Sequence, residues 1–137
     1  MKHSFPGILL DTHTWIWYLS DPERLSEDAR QIILRAQSKE SIFISAISTW
    51  EVAMLVKKQR LSLRMDVADW LRLSDSLPFL RFVPVENRIL LKSVFLDSEV
   101  PSDPADRIIA ATALSLGLPL VSKDTRMRQI PSLDVIW

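Results

Sequence analysis

The tightest constraint on this chain is the rhythm of its apolar runs, which are short, bounded and separated by stretches long enough for helices. Gly7-Ile8-Leu9-Leu10, Ile42-Phe43-Ile44 and Leu118-Pro119-Leu120-Val121 show no polar alternation. Strands of a parallel sheet read this way, because helices cover both of their faces. The strand candidates are 7–11, 42–46, 81–85, 118–122 and 134–136. Pro84 falls inside the third and removes a ladder donor, so that strand belongs at the sheet edge.

Between the runs the spacing turns helical. Ser26-Glu27-Asp28 gives a capped, acidic start to a helix whose buried face is Ala29, Ile32, Ile33 and Ala36. Trp50, Ala53, Met54 and Val56 predict another, ending near Lys57, Lys58 and Arg60, where positive charge suits the helix dipole. Fainter patterns cover 66–76 and 86–96. Asp103 caps and Pro104 opens a helix that continues through Ala110, Ala113 and Leu114 and stops at Gly117. Strands alternating with helices make the chain α/β.

Each segment of this framework delivers an acid to one place. Asp11 follows the first run, Glu51 follows the second, Asp106 lies at the opening of the helix after Pro104, and Asp124 follows the fourth run. Open α/β sheets bind ligands outside the carboxyl ends of their strands, where residues distant in sequence meet. Taken singly, the four acids have plain structural explanations. Asp11 can cap a helix, Ser48 and Glu51 have capping-box spacing, Asp106 suits a first helical turn, and Asp124 can cap a short helix over 125–129. Taken together they predict a cation, because converging carboxylates repel one another unless one is bound.

The donor types narrow the cation. There is no cysteine, and His3 and His13 are the only histidines, which excludes thiolate sites and disfavours a multi-histidine site. Oxygen donors suit magnesium, which often takes one or two carboxylates and keeps its waters. Asp11 and Asp106 are the candidate direct ligands. Glu51 and Asp124 are assigned to bind through water, complete a second metal site, or orient the nucleophile. Thr12 and Ser48 either hold ligand carboxylates or cap helices. Such a site points to metal-dependent hydrolysis of a phosphodiester. Arg107 and Lys123, beside the acids, are candidate phosphate contacts, and Lys57, Lys58, Arg60 and Arg64 form a more distant basic strip. His13 is given no chemistry. Trp15, Trp17 and Trp50 are candidates to line a groove for a partner.

With 17 basic and 17 acidic side chains the formal charge is zero, so nucleic acid must be met by a local basic patch. A length of 137 residues, 47% of them hydrophobic and 25% charged, predicts one folded domain spanning 1–137. Met1 to Pro6 lacks the features of a secretory signal, and no apolar run reaches the roughly 18 residues of a membrane span. A cytoplasmic protein is the expectation.

Leu9-Leu10-Asp11-Thr12-His13-Thr14-Trp15, Ile44-Ser45-Ala46-Ile47-Ser48-Thr49-Trp50-Glu51, Asp103-Pro104-Ala105-Asp106-Arg107 and Val121-Ser122-Lys123-Asp124, in this order and spacing, resemble a PIN domain. More closely, they are similar to the VapC-type toxins of bacterial toxin–antitoxin systems. The resemblance runs from residue 8 to the terminal Val135-Ile136-Trp137. It implies an α/β/α sandwich around a five-stranded, mainly parallel sheet, and a ribonuclease dependent on Mg2+ or Mn2+. It also implies a homodimer inhibited by a small antitoxin whose tail covers the active-site groove. The family's four acids match Asp11, Glu51, Asp106 and Asp124. Ser122 stands where threonine is more usual, and Asp103 matches the family's Asp-Pro pair, although capping also accounts for it.

Two other classes compete. A signalling receiver has similar size and acids, but here no adjacent acidic pair follows the first strand. A haloacid-dehalogenase-type phosphatase needs a second aspartate that Asp11-Thr12-His13 lacks. A PIN fold retained only for binding remains as the alternative function.

Overall fold

In a computed structural model, residues 6–137 are described; His3 and most of the amino-terminal stretch considered above lie outside them. The order is β1 (Ile8–Leu10), α1 (Thr12–Ser20), α2 (Glu27–Ser38), β2 (Ile42–Ser45), α3 (Ala46–Lys57), α4 (Val67–Ser76), β3 (Leu80–Val83), α5 (Asn87–Val94), α6 (Pro104–Leu116), β4 (Leu120–Val121) and β5 (Val135–Ile136). Single 3-10 turns occupy Pro22–Arg24 and Thr125–Gln129. The five strands form one sheet in the order β3-β2-β1-β4-β5, and every pairing is parallel. This is the five-stranded, mainly parallel sheet expected, with no antiparallel pairing among the described residues. β3 is an edge strand and ends one residue before Pro84, as the missing donor requires.

Strand alternation sorts the core into two layers. Ile8 and Leu10 face Trp15 and Ile16 of α1, Ala29 and Ile33 of α2, and Trp70 of α4. Leu9, between them, faces Ile109, Ala110 and Ala113 of α6 on the other side. All of these are nearly or fully buried, and the helices sandwich the sheet. α3 contributes Val52 to the first layer and Ile47 to the second, so it has no single apolar face. Gly7 is required by packing, since a Cβ there would lie 2.5 Å from the Ser41 carbonyl oxygen. Gly117 closes α6 at φ 66°, a conformation glycine adopts freely.

The strand order places β1 between β2 and β4, which run off in opposite directions along the chain. The crevice at the carboxyl ends of β1 and β4 is therefore the switch point at which such folds bind ligands. Among the described residues no helix is long and apolar enough to cross a membrane.

Candidate active site

Asp11 leaves β1 at that switch point and caps α1, accepting the Thr14 backbone N–H on Oδ1 at 2.9 Å. Its other oxygen accepts a hydrogen bond from the Ser122 hydroxyl, carried at the end of β4. Ser122 Oγ in turn accepts the Asp124 backbone N–H at 3.1 Å, so one buried hydroxyl ties the two strand ends together. Burial pushes the Asp11 carboxyl above its ordinary pKa, opposed by the hydrogen bonds from Ser122 and Thr14. Capping and site membership are both true of Asp11.

Glu51 is not half of a capping box. β2 runs straight into α3, and Ser45, the last strand residue, caps it by accepting the Ile47 N–H at 3.2 Å. Ser48 therefore lies inside the helix, fully buried, with Oγ 2.8 Å from Thr12 Oγ1. Thr12 Oγ1 also hydrogen-bonds Glu51 Oε1. A hydroxyl has one proton, so Thr12 donates it to the ionised carboxylate and accepts from Ser48. Both hydroxyls act as supports for Glu51. Burial raises the Glu51 pKa, the Thr12 hydrogen bond opposes the shift, and the charges of Asp103 and Asp11 reinforce it.

Asp106 comes from the first turn of α6, a crossover helix that starts at the carboxyl edge of the sheet. Asp103 caps this helix by accepting the Asp106 backbone N–H at 3.1 Å, leaving the Asp106 side chain uninvolved in capping. Burial, with the charges of Asp103, Glu51 and Asp124, pushes Asp106 up to about 7, against a partial offset from Arg126. Asp124 is the contrasting case. It caps the 3-10 turn and accepts from Arg126 Nε at 3.0 Å and Nη2 at 2.7 Å, a two-pronged contact that holds its pKa below the usual range. The same guanidinium reaches Asp106 at 3.7 Å.

These groups share one cleft of about 600 Å³, lined by Asp11, Glu51, Asp103, Asp106 and Asp124 together with Lys123 and Arg126. Within it, one oxygen each from Glu51, Asp103 and Asp106 lie within 4.8 Å of one another. All four acids expected from sequence line this cleft, but only Glu51 and Asp106 belong to the close group, which Asp103 completes; Asp11, expected as a direct ligand, and Asp124 stand outside it. Asp103 was legible as a cap and therefore set aside as a ligand; Arg126 was missed, although Asp-x-Arg across a tight turn can form such a fork.

Two expectations change. Arg107 was expected to meet phosphate, but its guanidinium faces inward to the carbonyls of Ser93 at 2.8 Å, Ser98 at 2.8 Å and Pro101 at 3.0 Å, with Val94 at 3.4 Å. It fastens the end of α5 and the following loop to α6, and has little left for RNA. Trp15 is fully buried against Trp70 and Phe82 and lines no groove. Trp17 does line the cleft, with Lys123 over its ring, while Trp50 is exposed on α3.

The donor set fits a hard divalent cation. Every candidate ligand is a carboxylate oxygen, and two ligands on one magnesium stand at most about 4.2 Å apart, a spacing close to that of the three grouped oxygens. Burial is the main cause of the raised pKa values of Glu51 and Asp106, and the neighbouring carboxylates add to it.

Residues 8–133 match the family described as the PIN domain. The chain is 38% identical over 132 residues to Ribonuclease VapC22 of Mycobacterium tuberculosis, covering 95% of this chain and 98% of that protein. Among solved structures it is similar to a toxin–antitoxin complex chain from Klebsiella pneumoniae, with TM-score 0.63, 25% identity and coverage of 96% and 97% of the two chains. A VapBC2 chain from Rickettsia felis, bound to a promoter DNA fragment, shares the fold at TM-score 0.68 and 17% identity, covering 94% and 97%.

Proposed function

The chain belongs to the PIN-domain family, and from that membership we propose that it is a metal-dependent endoribonuclease acting as the toxin of a toxin–antitoxin pair. Residues 1–137 work as one PIN domain in the cytoplasm. The observation that carries this reading is the convergence of Asp11, Glu51, Asp103, Asp106 and Asp124 in one cleft bordered by Lys123 and Arg126. Similarity to the M. tuberculosis ribonuclease supports the choice of RNA, and similarity to toxin–antitoxin complexes supports a small antitoxin as partner.

Asp11, Glu51, Asp103 and Asp106 would hold Mg2+ or Mn2+, with Asp124 acting through water. A divalent cation bound there supplies Lewis acidity toward the phosphoryl oxygen and makes water a stronger nucleophile near neutral pH. The chain's own residues do the rest. Ser122 and the Thr14 N–H fix Asp11, so its carboxylate needs no reorientation when the substrate arrives. Thr12 fixes Glu51 through Oε1 and leaves Oε2, which makes no hydrogen bond among the described residues, as a donor available to the ion. Lys123 and Arg126 line the same cleft and offset charge on the phosphate.

The homodimer has a surface of the right kind. Leu90, Leu91, Val94 and Phe95 project from α5 and the residue after it, with Phe95 75% exposed, and patches of this kind mark contact sites.

Purified protein should cleave RNA with added magnesium or manganese and stop when the ion is chelated. Asp11→Asn and Asp106→Asn should each lower the rate about 10³-fold, the scale on which removing one charge-stabilising group acts. Unchanged cleavage in both variants would sink the site assignment.

A further inference from the structure

A second cleft of about 500 Å³ adjoins the acidic one, and the two share His13 and Trp17 as a common wall. Its far side is the loop between α3 and α4, which contributes Arg60 and Arg64, and its near side is the turn after α1, which contributes Arg24. These arginines are not equivalent. Arg24 is tied to Asp21 at 2.9 Å and lies over the Trp17 ring. Arg60 and Arg64 are exposed and make no side-chain hydrogen bond or ion pair among the described residues.

Charge changes sign across Trp17. On one side five acids face two cations; on the other, Asp21 and Glu23 face three arginines. Lys123 and Arg24 both lie over Trp17, 5.9 and 5.8 Å from the ring centre, and carry positive charge across the wall. A polyanion whose reacting phosphate sits among the acids gains nothing further from them, and its neighbouring phosphates need cations within a nucleotide or two. We propose that the Arg60–Arg64 cleft binds the single-stranded RNA flanking the cleaved bond, through its phosphates. This rests on the ribonuclease reading, and it locates the substrate path that the formal net charge of zero leaves unstated.

An acidic peptide is the rival occupant. The composition of the walls favours RNA. Most residues around this cleft are polar or charged, whereas a smaller cavity across the Pro22–Arg24 turn, of about 280 Å³, is lined mostly by apolar groups, Tyr18, Leu25, Ile33 and Leu34 among them, with Glu23 and Arg30 at its charged side, and is better suited to anchor a protein partner.

Phosphate contacts read no sequence, so any single strand serves as the probe. A short fluorescein-labelled RNA of mixed sequence would be titrated with the full-length protein in calcium over a salt series, and its integrity checked on a gel. Wild type is compared with R60Q/R64Q, and with K57Q/K58Q as a control that removes the same charge from exposed positions outside both clefts. R60Q/R64Q should flatten the slope of log K against log salt by about 1.4, since each phosphate contact to a single strand contributes about 0.7. K57Q/K58Q should leave the slope nearly unchanged. An equal effect from the control would overturn the proposal, as would polyglutamate binding as tightly as RNA and losing as much on R60Q/R64Q. Magnesium-dependent cleavage, measured separately, keeps the two claims apart. An unchanged slope in R60Q/R64Q with cleavage by wild type refutes the cleft alone; the expected slope change without any cleavage refutes the ribonuclease and leaves the cleft.

Discussion

Asp11 and Asp106 line the same cleft, but the protein treats them in opposite ways. Asp11 sits at the end of a central strand, and both of its oxygens accept hydrogen bonds, from Ser122 and the Thr14 N–H. Asp106 sits on the tip of a helix beside Asp103 and Glu51, and its nearest compensation is Arg126 at 3.7 Å. The first carboxylate is held in place by the fold. The second is stored with its repulsion unrelieved, and a cation is what relieves it. One cleft thus combines a preorganised ligand with one whose charge is settled only on binding.

The largest test of this contrast uses stability and activity together. Asp106→Asn should abolish most cleavage yet raise the melting temperature of the metal-free protein at pH 8, because it removes a buried charge that burial and neighbouring acids disfavour. Ser122→Ala should do the reverse to the fold. It strips a donor from the buried Asp11 carboxylate, a loss of about 1.5–3 kcal/mol for a hydrogen bond to a charged group, and should lower activity about 10–100-fold. If both variants move stability in the same direction, the distinction between the two aspartates is wrong.

The same contrast explains what could be read from the sequence. Asp11 was legible because its strand is a contiguous apolar run and its role as a cap is local. β3 was expected at 81–85 and runs Leu80–Val83, ending before Pro84 because proline cannot donate to the ladder. Asp103 matched the family's Asp-Pro pair, but capping was enough to account for it, since nothing in Asp103-Pro104-Ala105-Asp106 says that Glu51 lies across the cleft. Ser48 and Glu51 imitated a capping box because β2 passes into α3 without a loop, and the true cap, Ser45, still reads as strand. Arg107 was misjudged for a related reason. Its partners are main-chain carbonyls of residues 93–101, and carbonyls carry no sequence signature.

Arg107 provides a smaller test of how the Asp106 side is held. Its guanidinium binds the end of α5 and the loop to the first turn of α6, so it positions Asp103 and Asp106 without touching substrate. Arg107→Ala should cost about 1–3 kcal/mol by leaving the part-buried carbonyls of Ser93, Ser98 and Pro101 without their donor. It should lower kcat more than it raises KM. Arg107→Lys, which keeps the charge but not the fork, should restore little. A change confined to KM would instead favour the phosphate contact first expected of this residue.

The last test is the pH dependence of the metal-free fold, and its sign is informative. Asp106 titrates near 7 in the folded chain against an ordinary 3.8, so between about pH 4 and 7 the native state keeps a proton that the unfolded chain has lost. Stability should therefore fall as pH rises through that window and level off above it, with Asp11 and Glu51, also raised, contributing in the same direction. Asp124 acts oppositely, because its lowered pKa adds stability above the ordinary aspartate range that is lost as pH falls below it. Melting temperatures measured in chelator from pH 5 to pH 8 should decline, and added magnesium should reduce the decline, since a bound cation stabilises the ionised form. A flat profile, or one that magnesium does not alter, would mean that the acids around Asp106 are already compensated and that the two aspartates differ in position but not in their need for a cation.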